Sequence, residues 1–346
     1  MKPGADAVRI SHAGSRDRRG FTLIELLTVI AIIAVLGAIA IGTYFRVRTS
    51  MEESMTEVTL AKLQSQYESQ ARAVMDNVRD DRQQNRIPAA VLNLAEGDGL
   101  RASVIWGKIR MKQEFPQNFW EAVVWPQLMQ GWGYPVESRY AAELKFPPGT
   151  TPRDPATMTP AEQFLESAAL LYMSLTKGRR GVTGFNPVEH VGANAVGKVV
   201  IPMTTSGVSR EFDVFLDSWG QPIGFIRWPF GGAASDLNMP PQLQTNARGE
   251  PIDPQDPERT LQSPNWSATL RTTFMNQVGH PLNMPPAPPL NLSAVILSAG
   301  ADQRLGIRFM AGPAPAGYLG YFQNDGSGDA EDNVYGYRVK VGRSKN

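Results

Sequence analysis

From Phe21 to Ile41 the chain runs for 21 residues with a single charge, Glu25. As a helix this stretch would extend about 31 Å at 1.5 Å per residue. That matches a hydrocarbon core of about 30 Å, so the run predicts one membrane span over residues 21–41. The residues before it carry Lys2, Arg9, Arg16, Arg18 and Arg19 against Asp6 and Asp17, whereas the rest of the chain holds 29 basic and 31 acidic residues. A basic flank of this kind stays on the cytoplasmic side. It predicts a single-pass chain with residues 1–20 inside and everything after about residue 45 outside.

Glu25 is the anomaly in this run, because a carboxylate in hydrocarbon needs a partner or a proton. A cut between Gly20 and Phe21 would create an α-amino group four residues upstream, on the same helical face. The amine of a neighbouring subunit would serve equally well. A secretory signal ending at Ala38-Ile39-Ala40 and an uncleaved anchor are the plainer alternatives, and both leave Glu25 unexplained.

Gly20-Phe21-Thr22-Leu23-Ile24-Glu25, set between a basic leader and an apolar helix, resembles the class III signal of type IV pilins and type II secretion pseudopilins. The resemblance implies cleavage after Gly20 by prepilin peptidase and N-methylation of Phe21. It also implies extraction from the bacterial inner membrane by an assembly platform, and stacking with other subunits into a filament whose register Glu25 helps to set.

The remaining composition narrows the function. There is no cysteine, which removes thiolate nucleophiles, cysteine zinc sites and iron–sulfur clusters. His12 lies in the leader, and His190 and His280 are 90 residues apart. No HExxH, GxSxG or phosphate-loop pattern is present. The reading is therefore of a protein that is not an enzyme, and a near-neutral total charge gives no sign of a nucleic-acid partner.

Beyond the span, Met51, Met55, Val58, Leu63, Tyr67, Val74 and Val78 recur at helical spacing among polar residues. No proline occurs between Phe21 and Ile87. One helix over 21–86 is expected, with Pro88 marking its end. In the middle of the chain, Ala102 to Trp106 reads as a short strand and Trp120 to Met129 as a helix. Thr159-Pro160-Ala161-Glu162 has the form of a capping box ahead of the apolar set Phe164, Leu165, Ala168, Leu171, Tyr172 and Leu175. Trp106, Trp120, Trp125 and Trp132 form either an exposed binding surface or a core seam, the seam being the commoner use. Residues 231–290 are crowded with prolines and read as loops and extended chain.

Val214 to Leu216 reads as a strand, followed by a turn at Asp217-Ser218-Trp219-Gly220-Gln221-Pro222. A second strand, Ala294 to Leu297, leads into Ser298-Ala299-Gly300-Ala301-Asp302, and an acidic segment follows at 324–334. These blocks resemble the C-terminal half of type II secretion major pseudopilins, where two such turns bind one calcium ion. Carried over by position, Asp302 and Asp329 or Asp332 would be carboxylate ligands, and Leu297 and neighbouring backbone would supply carbonyls. Here Gln303 follows Asp302 where the family has glycine, and the two blocks lie farther apart.

The expected fold is α+β: residues 1–20 as leader, a long N-terminal helix over 21–86, and a pilin-like antiparallel sheet domain over 87–346 with insertions at about 87–210 and 231–290. The expected function is a structural subunit of a type II secretion pseudopilus or type IV pilus-like filament. A membrane-anchored extracytoplasmic binding protein is the alternative.

Overall fold

A computed structural model describes residues 22–228, 253, 255–278, 294–308, 323–324, 329 and 332–336. The fold is α+β. It opens with α1 (Leu23–Gln83), and the chain divides into two compact units at Ser50 and Met51. In the first unit the apolar side chains of α1, from Leu23 to Val47, are exposed. An 18-residue window of the helix has mean hydropathy 2.7 with none of it buried, so α1 is long and apolar enough to cross a membrane.

In the second unit α1 buries Thr56, Leu60, Leu63, Gln64, Tyr67, Gln70, Val74 and Val78. Met51, Met55 and Val58, expected on that face, stay exposed. Polar residues take the buried positions because each meets a backbone partner. Thr56 Oγ1 accepts the Ser218 N–H at 3.1 Å. Gln64 donates to Ala294 O at 3.1 Å and accepts from Ile296 N at 3.3 Å. Gln70 donates to Leu175 O at 2.7 Å. A stripe read from hydropathy alone misses such residues.

A helical layer follows: α2 (Ala89–Leu94), α3 (Gly99–Glu114), α4 (Phe119–Gly131) and α5 (Ala141–Leu144). The strand expected at Ala102 to Trp106 lies inside α3. Asp98 caps that helix by accepting from Leu100 N and Arg101 N, and Ala102, Ile105, Trp106 and Ile109 are all buried on its inner face. Helical burial outweighs the β propensity of the Val-Ile-Trp run. Helix α4 takes the place expected for it. Trp106 and Trp125 are buried and Trp120 half-buried, so these tryptophans are core; Trp132 keeps 37% of its surface.

Helix α6 (Pro160–Thr176) starts at the anticipated capping box, with Thr159 and Glu162 bonded reciprocally. After the short α7 (Pro187–His190), β1 (Val196–Pro202) and β2 (Ser209–Phe215) pair antiparallel under α6. Strand β3 (Gly224–Ile226) pairs with β4 (Val295–Ser298) across an insertion. Part of that insertion is helical: α8 (Ala268–Val278) occupies the proline-free stretch between Pro264 and Pro281 and buries Phe274 and Val278. The expectation of loops and extended chain is corrected there. Strands β5 (Ile307–Arg308) and β6 (Gln323–Asn324) form a separate pair, and β7 (Val334–Tyr335) closes a three-stranded sheet in the order β3-β4-β7.

Candidate functional site

The start of α1 is built by two side chains. Thr22 donates its N–H (2.9 Å) and its hydroxyl (2.8 Å) to Glu25 Oε2, while the Glu25 N–H donates to Thr22 Oγ1 at 3.3 Å. This reciprocal cap satisfies N–H groups that a helix start leaves orphaned. Glu25 therefore already has a partner in the chain itself, three residues upstream. The Thr-x-x-Glu spacing was legible in the sequence and was missed, because the apolar run around it drew the reading toward a lone charge. Gly20 and Phe21 lie outside the described residues.

Residues 15–41 match the family model described as the Prokaryotic N-terminal methylation motif. The chain carries a prokaryotic N-terminal methylation motif. This motif is the hallmark of type IV pilin and pseudopilin precursors and indicates a precursor of the kind that prepilin peptidase processes. Proteins with the motif are structural, and it fits membrane anchoring through the apolar helix near the N-terminus. No curated protein and no solved structure matches the chain.

Far from the methylation motif in sequence, the two turn blocks of the C-terminal half meet. Asp217 Oδ1 accepts from Trp219 N and Gln221 N, which shapes its own turn. Asp217 Oδ2 accepts the Ser298 hydroxyl at 2.6 Å, and Ser298 Oγ in turn accepts from Gly300 N at 3.1 Å. Burial pushes the Asp217 carboxyl up from its ordinary range, against the pull of these bonds.

Asp302 and Asp332 are brought together: the Asp302 N–H donates to Asp332 Oδ2 at 2.8 Å. Burial, and then the neighbouring Asp302 charge, raise the Asp332 carboxyl. Gly300, at φ +78°, permits the approach, since a Cβ there would lie 2.3 Å from Asp332 O. Gln303 stands at φ +64°, so the backbone at the family's glycine position is left-handed here too. Asp329 Oδ2 lies 4.0 Å from Arg304 Nη1. Leu297 is buried in β4, the middle strand of its sheet. Among the described residues no group of three or more acidic or histidine side chains is close enough to hold a metal ion.

Sequence reasoning also missed a buried polar centre. Glu121 accepts from Arg227 at 2.8 and 3.0 Å and lies 3.4 Å from Lys112 Nζ, with all three side chains fully enclosed. Burial brings Lys112 down to about 8 despite Glu121.

Proposed function

We propose that this chain is a filament subunit of a type II secretion pseudopilus or a type IV pilus-like assembly. It would be inserted with residues 1–20 in the cytoplasm, cut after Gly20 and methylated on Phe21. The match over residues 15–41, on a helix whose apolar half is exposed all round, supports this reading. A carboxylate in hydrocarbon seeks charge-assisted hydrogen bonds. Once Phe21 is the first residue, its amine competes with Thr22 for Glu25, and so does the amine of a neighbouring subunit. That exchange would convert an internal cap into a contact between subunits and the inner-membrane assembly platform's product, the filament. Intact-mass analysis of the membrane-extracted protein tests the processing: a methylated chain starting at Phe21 is expected, and retention of residues 1–20 overturns it. A membrane-anchored binding protein would instead keep its activity and location in Glu25→Ala.

We further infer that the C-terminal turns hold one calcium ion, with Asp302 and, of the two alternatives Asp329 and Asp332, Asp332 as carboxylate ligands and the backbone near Leu297 as a carbonyl source. The approach of the two turns supports this: Asp332 accepts from the Asp302 backbone and is raised by the Asp302 charge, two neighbouring carboxylates repel without a cation, and calcium takes 6–8 oxygens of this kind.

A further inference from the structure

Among the described residues the outer edge of β2 has no backbone partner over two residues, and a cavity of about 430 Å³ lies against it. The direction of each backbone group follows from bonds at both ends of the strand. Leu216 N donates to Ala195 O and Met203 N donates to Val208 O, so even-numbered residues of β2 pair with β1. Phe215 O accepts from Ile223 N, and Asp217 N donates to Gln221 O, so odd-numbered residues turn their N–H and C=O the other way. At Phe215 and Asp217 the chain returning into β3 covers that edge. At Glu211 and Asp213 no described backbone group does so.

The side chains of Phe212 and Val214 are buried with Ala168, Ala169 and Leu170 under α6. Those of Glu211 and Asp213 point to the opposite, exposed face, by the period-two alternation of a strand. Both residues also line the cavity, and the Asp213 charge reaches its Tyr172 wall, where it helps burial raise the phenol. The opposite wall is Tyr172 and Thr176 of α6, with Tyr140 beneath. Tyr140 already seats one cation: Lys177 Nζ lies 5.3 Å from its ring centre, tied to Glu143 and to Arg139 O. Arg210 is likewise committed, to Leu144 O. The rim therefore has its cations in use and the Asp213 carboxylate without an ion pair among the described residues.

We propose that this cleft docks an extended segment of another protein, which adds as a strand to the outer edge of β2 and places a lysine or arginine beside Asp213. Two open residues at i and i+2 offer two N–H and two C=O groups, enough to register a segment of about four to five residues. The aromatic and acidic surroundings select the basic side chain. The edge supplies attraction for any extended chain, and the charge supplies the discrimination.

Amide hydrogen exchange of the full chain in detergent micelles, resolved by residue, tests this with three probes at roughly millimolar concentration. They are a blocked pentapeptide of sequence Thr-Val-Arg-Val-Thr, the same peptide N-methylated at alternate residues, and its counterpart with Glu for Arg. The first should slow exchange at Glu211 and Asp213 by about tenfold or more; the N-methylated peptide should leave both unchanged and the acidic one should protect less. No protection by the first peptide, or equal protection by the N-methylated one, overturns the proposal. Thr176→Trp fills the cleft and should abolish protection while exchange in α6 stays as in the parent. Asp213→Lys, at an exposed side chain, should reverse the preference between the Arg and Glu peptides. An unchanged preference counts against the assigned charge contact.

Discussion

Glu166 Oε2 accepts the Phe119 N–H at 2.8 Å, at the first turn of α4, and its other oxygen is buried without a hydrogen-bond partner. Burial pushes this carboxyl up to about 8. A carboxyl whose folded value is raised is protonated in the folded state while already ionised in the unfolded one, so stability falls as pH rises between about 4.5 and 8. At 1.36 kcal/mol per unit, the loss across that window is on the order of a few kcal/mol. Glu166→Gln keeps the neutral shape and should flatten the pH dependence. Urea melts at pH 6 and pH 9 check this, and equal slopes for parent and variant would refute it.

Arg227 and Glu121 are fully enclosed, and Arg227 also donates to Phe115 O at 2.6 Å, closing the C-terminal end of α3. Arg227→Met removes the cation and leaves the carboxylate buried with Lys112 alone. Breaking a buried pair costs about 3–5 kcal/mol. The midpoint of urea unfolding should drop accordingly, and a loss below about 1 kcal/mol would show that Lys112 suffices.

The same kinds of signal were legible in one place and hidden in another. Thr159 and Glu162 announced α6, while Thr22 and Glu25, with identical spacing, were overshadowed by the apolar run that contains them. Asp98 was a readable cap for α3, yet the β-branched run after it prevailed. Met51, Met55 and Val58 fit a helical stripe but miss the buried face, because Thr56, Gln64 and Gln70 satisfy their polar groups against backbone far along the chain. The partnership of Glu121 with Arg227 spans 106 residues, and no local pattern encodes it. The methylation motif could be read at once because its chemistry is carried by contiguous residues.

Thr22→Ala removes the hydroxyl that Glu25 shares and should fray the first turn of α1. Thr22→Ser keeps the bond. Pulse-chase analysis should show altered processing for alanine and near-normal processing for serine; identical rates would mean that the cap has no part in presenting the Gly20–Phe21 bond.

Glu25→Ala and Glu25→Leu should be inserted and cleaved but incorporate poorly into filaments. Shear fractionation measures this, and normal incorporation of both variants would remove Glu25 from the subunit register.

Calcium at 100-fold its dissociation constant should stabilise the full chain by about 2.7 kcal/mol, with magnesium doing much less because it holds its waters in a tighter octahedral shell. Asp302→Ala should abolish the response and leave the metal-free melting point nearly unchanged. Identical melting curves in calcium and in chelator would leave the two acidic turns as solvated turns.

Gln64 binds Ala294 O and Ile296 N from a position about 230 residues earlier in the chain. Strand β3 likewise waits for β4, with Phe225 opposite Ile296. Contacts this distant must overcome a large loop-closure entropy before they stabilise anything. During synthesis, the inner face of α1 thus emerges early, while the strands that cover it emerge among the last. Until Val295 has been synthesised, Leu60, Leu63 and Tyr67 lack the β3-β4-β7 sheet that receives them, and the nascent chain is most exposed to proteases and to premature association during that interval.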